Sequence, residues 1–255
     1  MMKTILRATF LTLALAAPAL AAGDGTAIGV NPDALQLSGA AERTLVVGAD
    51  VSVGDRITTG PSGRVQLLFA DDTRIVVGPG SALEIEAYLL NGNRADKFAV
   101  NALAGTFRFI SGSSPKSAYS IDTPTASIAV RGTRFDVTVG RGWTHALLYE
   151  GALEMCHGNT CITLAKRCDV GALGGIREGL FVWGHPERGE LVGNFPLPNI
   201  QSAFRSDFRI NGSQACLAPP QGQSAISIES PPDGGGSVDE SSGGGRICPP
   251  QSTAC

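Results

Sequence analysis

The sequence predicts an all-β domain over residues 29–173, and two observations support this class. Apolar and polar residues alternate in short runs, as in residues 83–87, Leu-Glu-Ile-Glu-Ala. Clusters of Gly, Asp, Asn and Pro, the residues that accept turn dihedrals, separate these runs about every 10 residues. We therefore expect roughly ten to twelve short strands rather than helices.

The strands can be placed in order along the chain. Residues 65–69 and 74–77 predict a hairpin that turns at Asp71-Asp72, and residues 83–87 predict a strand with one buried face. Further strands are expected at residues 98–100, 106–110, 127–130 and 134–139. A final hairpin is expected from residues 146–149 and 152–155 to residues 162–164.

Four dipeptides are interpreted as structural turns. They are Gly54-Asp55, Thr123-Pro124, Gly132-Thr133 and Glu150-Gly151. Proline fixes its own φ and makes the preceding residue extended, whereas glycine allows a tight change of direction. Residues 120–139 hold no nucleophile beside a base, so this stretch predicts sheet corners rather than a reactive loop. Its charged residues, Asp122, Arg131, Arg134 and Asp136, could pair with one another.

The two ends of the chain differ in composition from the middle. Residues 1–22 predict a secretory signal peptide, because Lys3 and Arg7 precede a short apolar run that ends in small residues. A spanning helix needs about 20 apolar residues, so we expect no membrane span after cleavage and a periplasmic or secreted location. Residues 217–255, rich in Pro, Gly and Ser, predict a flexible low-complexity tail.

Residues 174–216 are predicted to form a C-terminal extension. Ile200, Phe204 and Phe208 recur at every fourth position behind Asn199, a usable N-cap. This spacing predicts a short amphipathic helix over Asn199–Phe208 that caps the sheet. A fragment of about residues 23–216 is expected to fold without the tail.

The six cysteines are interpreted as disulfide partners, because an exported protein meets an oxidising compartment. Cys156 and Cys161 bracket a turn, and pairs Cys168 with Cys216 and Cys248 with Cys255 complete one of the pairings that six cysteines allow. The alternative is zinc held by Cys156, His157, Cys161 and Cys168, but their spacing is unlike common zinc sites. We therefore expect no metal.

Other chemistry receives less support. Asp71-Asp72, and Glu84 with Glu86, could be paired carboxylates, but they are better explained as a turn and as the wet face of a strand. The three histidines, His145, His157 and His185, are scattered, so no catalytic residue and no cofactor are predicted. Trp143 and Trp183 could stack on sugars or serve only in packing. A net charge of −3 argues against nucleic acid as a partner.

An ordered set of motifs over residues 45–155 resembles the FecR domain family. It includes "GDRITT" from Gly54, "TPTASIAVRGTRFDV" from Thr123 and "YEG" ending at Gly151. Asp71-Asp72 stands where the family usually has Asp-Gly. The resemblance implies a periplasmic β domain of solenoid-like or sandwich-like architecture.

The resemblance also implies a role in the cell envelope. In iron-dicitrate regulators of the family, the domain follows an anti-sigma segment and one transmembrane helix, which we do not expect here. We therefore expect an exported, non-catalytic binding or scaffolding module with an envelope protein or glycan as partner. The alternatives are a signalling partner that acts in trans with a membrane regulator, and an envelope hydrolase.

Overall fold

The computed structural model describes residues 23–218, and most of them form β-strands. The strands are β1 Gly25–Asn31, β2 Ala34–Ser38, β3 Ala41–Thr44, β4 Asp50–Val51, β5 Asp55–Thr59, β6 Arg64–Phe69, β7 Arg74–Val77, β8 Ala82–Asn91, β9 Arg94–Ile110, β10 Tyr119–Thr123, β11 Ala126–Gly140, β12 Trp143–His157, β13 Thr160–Leu164, β14 Val170–Gly174 and β15 Gly179–Phe181. The predicted all-β class is confirmed. The predicted signal peptide, and the predicted tail beyond residue 218, lie outside the described residues.

Three long strands, β9, β11 and β12, each run through two layers of sheet. In layer A the strand order is β3-β2-β5-β8-β9-β10-β11-β12-β13, and in layer B it is β4-β1-β6-β7-β9-β11-β12-β14-β15. Neighbours pair antiparallel except β9 and β10, which are parallel. The sheet begins at Gly25 and continues to Phe181, so it extends beyond the predicted 29–173 at both ends.

The main core lies between the two layers. Alternate side chains of each strand point inward and form one buried cluster that draws on both layers. Phe69 of layer B contacts Tyr88 and Phe98 of layer A, with ring centroids 5.4 and 4.8 Å apart. Each such side chain contributes roughly 1.5–3 kcal/mol on burial. The sequence left open a solenoid or a sandwich, and two layers packed around one core form a sandwich.

Two of the predicted turns lie inside long strands. Gly132-Thr133 belongs to β11 and Glu150-Gly151 to β12, so the predictions of separate strands at residues 127–130 and 134–139, and at residues 146–149 and 152–155, are wrong. The pairing of β11 with β12 shifts register between Arg131 and Arg134 instead of ending. This is a β-bulge, which bends both strands from layer A into layer B.

Gly151 shows why the bulge needs glycine. Its φ is +83°, and a Cβ there would lie 2.1 Å from the carbonyl oxygen of Gly132. The other two dipeptides do lie at turns. Gly54, with φ of +89°, precedes β5. Thr123-Pro124 joins β10 to β11, and the Ala126 amide donates to Thr123 Oγ1 at 2.8 Å.

The C-terminal extension covers the outer face of layer B. It contains helices α1 Arg188–Val192 and α2 Leu197–Ile200 and 3₁₀ turns Gln201–Ala203, Ser206–Phe208 and Ser213–Cys216; another 3₁₀ turn, Lys116–Ala118, precedes β10. No helix in residues 23–218 is both long and apolar enough to cross a bilayer.

The prediction of one helix over Asn199–Phe208 is wrong. Phe204 has φ −92° and ψ 155°, so extended backbone separates two single turns, and Asn199 lies inside α2 rather than at an N-cap. Tertiary contacts explain the break, since the Arg205 amide donates to Gln66 Oε1 at 2.8 Å. Phe204 and Phe208 still pack against the sheet, around Val76.

Candidate functional site

Four exposed apolar side chains lie on or beside β15, the last strand of layer B. β15 pairs with β14, and among the described residues no strand pairs with its other side. Ile176, Leu180, Val182 and Trp183 are 102%, 40%, 43% and 40% exposed. We call these four side chains, together with the open side of β15, the edge surface.

The edge surface adjoins buried and hydrogen-bonded residues. All of β14 is buried, and the Gly174 amide at its end donates to Glu178 Oε1 at 2.7 Å. The Arg188 guanidinium lies 4.7 Å from the centre of the Trp183 ring. Its Nη2 donates to the carbonyls of Cys168 and Cys216 at 2.9 and 2.6 Å. These contacts tie both ends of the segment, at Gly174 and at Trp183, to neighbouring residues.

Two clefts flank the loop that carries Ile176 and Arg177. One, of about 600 Å³, includes Phe181, His185 and Glu187. The other, of about 490 Å³, includes Arg141, Trp143, His145 and Asn194, and we call it the Trp143 cleft. The Arg177 guanidinium between them pairs with Glu190 at 2.6 Å.

The Trp143 cleft has an aromatic wall. Trp143 and His145 project from the same face of β12, and their rings stack with centroids 4.2 Å apart. Burial lowers the pKa of His145 to about 4, so the imidazole is neutral at pH 7. Its Nδ1 is 3.3 Å from Asn194 Nδ2.

Four of the six cysteines form two disulfides. Cys156 bonds Cys161 across the β12–β13 hairpin, and Cys168 bonds Cys216. These are two of the pairs considered in the sequence; Cys248 and Cys255 lie outside the described residues. Glu154, Cys156 and Cys161 lie close enough together to hold a metal. Both sulfurs are in a disulfide, however, so neither is available as a thiolate ligand.

The predicted carboxylate pairs do not come together as acid and base. Both residues lie in the expected β6–β7 turn; Asp72 is exposed there, but the side chain of Asp71 is fully buried. It accepts hydrogen bonds from three hydroxyls at 2.7–2.8 Å, those of Thr73, Ser114 and Tyr119. This network joins the β6–β7 turn to β10.

Glu84 and Glu86 remain on the outer face of layer A. Glu84 pairs with Arg56 at 2.8 Å, and Glu86 is exposed. The histidines are also separated: His157 faces Glu178 at 3.9 Å, and His185 packs on Phe181. Within residues 23–218, no histidine hydrogen-bonds a serine, threonine or cysteine.

A buried ion pair under the C-terminal extension was not predicted. Arg108 and Asp136 are both fully buried, and Arg108 Nε and Nη2 donate to the Asp136 carboxylate at 2.7 and 2.9 Å. The Tyr149 hydroxyl donates to the same carboxylate at 2.8 Å. Burial, followed by the Asp136 charge, raises the pKa of Tyr149 well above its ordinary value.

Two other charged residues of the 120–139 stretch, Arg134 and Asp122, have separate partners. Arg134 lies 3.4 Å from Glu150, and Asp122 accepts a hydrogen bond from Ser127. Asp136 thus pairs outside the set considered in the sequence. Only the outward position of Arg108 on an otherwise apolar strand, Phe107-Arg108-Phe109, could have indicated the buried pair.

The geometry defines a two-layer β protein with an open strand edge and an adjoining cleft. Residues 55–154 match the family model described as "FecR protein". The chain therefore contains a FecR domain, as its motifs predicted, and this domain runs from β5 into β12.

Two crystal structures of a candidate anti-sigma factor from Parabacteroides distasonis ATCC 8503, at 1.65 and 2.50 Å resolution, are similar to the chain. Each is 14% identical with a TM-score of 0.41 and covers 49% of this chain. The chain spans 57% of the length of these relatives. No curated protein matches it.

Proposed function

We propose that this chain is an exported, non-catalytic binding module whose edge surface holds a protein partner in the cell envelope. The observation that carries the proposal is the edge surface itself. Large apolar side chains are exposed there beside a strand that has one open side. Exposed apolar surface of this kind is typical of protein interaction sites.

The open strand edge suggests how a partner would bind. Unpaired backbone groups at a sheet edge can accept an extended peptide as an additional strand, and pockets beside the edge then select its side chains. β15 is only three residues long, so backbone pairing alone would be weak. Leu180 on β15 and the flanking Val182 and Trp183 would add apolar contacts.

The location is supported by two disulfides in the described part of the chain, which indicate an oxidising compartment. The non-catalytic role is supported by the use of the ionisable groups that the sequence offered for chemistry. Asp71 and Asp136 are held in buried structural bonds, and Glu84 is held in an ion pair.

Site-specific photo-crosslinking in intact cells tests the proposal. A photoreactive residue placed at Leu180 should trap a defined envelope protein. The same residue at Leu89, which is 59% exposed at the β8–β9 hairpin, should not trap it. Ile176→Asp, added to the variant with the photoreactive residue at Leu180, should abolish the cross-link. Binding of the partner would then require the new charge to be desolvated against apolar surface.

Each result has a clear meaning. A partner trapped equally from Leu89, or a Leu180 cross-link that survives Ile176→Asp, would contradict binding at the edge surface. A membrane regulator as the trapped protein would place the module in signalling in trans. Glycan-only adducts at Leu180 would exclude a protein partner there.

The domain boundaries are a second part of the proposal. A fragment of residues 23–218 keeps the described strands, both disulfides and the edge surface. It should unfold in one cooperative transition at the urea midpoint of the mature full chain. A lower midpoint would assign a stabilising role to residues 219–255.

A further inference from the structure

We propose that the Trp143 cleft binds a carboxylated amino sugar. This goes beyond the proposed function, because no residue of β15 lines the cleft, although Ile176 belongs to both the cleft and the edge surface. Its volume of about 490 Å³ is within the range of about 300–1,000 Å³ that small-molecule sites occupy. Three features of its lining identify the class of ligand.

The first feature is the aromatic wall. Trp143 is only partly buried, although it follows the tight Arg141-Gly142 turn and stacks on His145. Gly140, opposite Trp143 on β11, makes room for the indole, since a Cβ there would fall 2.1 Å from its ring. The ring is thus fixed by its neighbours while part of it stays on the cleft. A fixed, partly exposed indole can cover the apolar C–H face of a sugar ring.

The second feature is a cation without a counter-charge. Arg141 is exposed and has no hydrogen bond or ion pair to any residue in the described part of the chain. The other arginine of the cleft, Arg177, is neutralised by Glu190 at 2.6 Å. One free guanidinium beside an aromatic ring matches a single carboxylate, which it can hold through two parallel hydrogen bonds.

The third feature is a side-chain amide, which offers both a hydrogen-bond donor and an acceptor. Asn194 places an amide on the cleft, and its Nδ2 contacts the neutral His145. Its Oδ1 has no donor among residues 23–218. An amide oxygen of this kind accepts from the N–H of an acetamido group or from a sugar hydroxyl. A ring, an acetamido group and a carboxylate together describe a carboxylated amino sugar.

Tryptophan fluorescence gives a direct test. The chain has two tryptophans, so Trp183→Phe in the mature full chain leaves Trp143 as the reporter. N-acetylmuramic acid should change this fluorescence saturably at concentrations up to about 20 mM, which would fill a millimolar site. N-acetylglucosamine, which lacks the carboxylate, and acetate, which lacks the ring, should bind at least about tenfold more weakly.

Matched arginine variants locate the effect. Arg141→Gln should weaken binding of N-acetylmuramic acid about tenfold. Arg131→Gln, at an exposed arginine near the bulge of β11, should leave it unchanged. Unchanged urea midpoints would show that both variants are folded.

Four results would overturn the proposal. They are no fluorescence change with N-acetylmuramic acid, an equal response to N-acetylglucosamine, an equal response to acetate, and full binding in Arg141→Gln. None of these results affects the cross-linking test of the edge surface, because the photoreactive residue replaces Leu180, which does not line the Trp143 cleft.

Discussion

Replacing Arg108 with leucine would test how the C-terminal extension is joined to layer B. The guanidinium is fully buried and makes two bonds to Asp136. Its Nη1 donates to Gln201 Oε1 at 3.1 Å and to the Phe208 carbonyl at 3.3 Å. Arg108 thus connects a strand of the FecR domain to residues about a hundred positions later.

The expected cost follows from what the substitution leaves behind. In Arg108→Leu the Asp136 carboxylate stays buried with only the Tyr149 hydroxyl as a side-chain partner. Breaking a buried pair from one side typically costs about 3–5 kcal/mol. For a domain of this size that corresponds to a decrease in Tm of roughly 6–20 °C.

Urea unfolding at pH 7 with the disulfides intact would measure this cost. Arg56→Leu is the matched control, since its pair with Glu84 is exposed and should contribute less than about 1 kcal/mol. The double variant Arg108→Leu/Asp136→Leu should recover part of the loss, because no lone charge is then buried. A single-variant cost below about 1 kcal/mol would refute the reasoning, as would a double variant that shows no recovery.

Three further predictions concern the bulge, pH and the second disulfide. Gly151→Ala should cost about 3 kcal/mol in urea unfolding and Gly142→Ala only about 1, because both have positive φ but only Gly151 lacks space; equal costs would contradict this. The pKa of His145 is lowered to about 4, so its contribution to stability should be complete above pH 6.5 and be lost as pH falls from 6.5 to 4. His145→Gln should weaken the dependence of the urea midpoint on pH between 6.5 and 4. The same pH dependence in this variant and in the unmodified protein would contradict the prediction. Replacing Cys168 and Cys216 with alanine should lower stability by about 4 kcal/mol through loop entropy, given their separation of 48 residues; an unchanged urea midpoint would exclude this account.

A hairpin formed by apolar runs on either side of a turn was predictable from sequence. Residues 65–69 and 74–77 form the expected β6–β7 hairpin, because Val65, Leu67 and Phe69 alternate along β6 and Asp71-Asp72 supplies a turn. The continuity of β11 and β12 was not predictable, since glycine at residues 132 and 151 suits a turn and a bulge equally well. Cross-strand pairing decides between the two, and a single sequence does not show which strands pair.

The buried polar centres were hidden for a different reason. A charged residue in a turn or on a strand usually faces solvent, so Asp71 and Asp136 were interpreted from their immediate neighbours. Their burial depends on partners far along the chain, Tyr119 for the first and Arg108 for the second. The helix expected over residues 199–208 is interrupted for the same reason. Contacts of Phe204 and Phe208 with the sheet override the helical tendency of apolar residues spaced four apart.

The position of the edge surface bears on how far family membership can specify a partner. The family match ends at residue 154, whereas Ile176, Leu180, Val182 and Trp183 all follow it. The FecR domain supplies the long strands on which β14 and β15 are added, and Arg188 and the Cys168–Cys216 disulfide fix that addition in place. A partner of the edge surface would therefore recognise residues outside the family match.

Exchanging residues 155–218 for the equivalent segment of another FecR-domain protein should change the partner trapped by cross-linking while the sandwich remains folded. Retention of the same partner would instead assign recognition to the FecR domain itself.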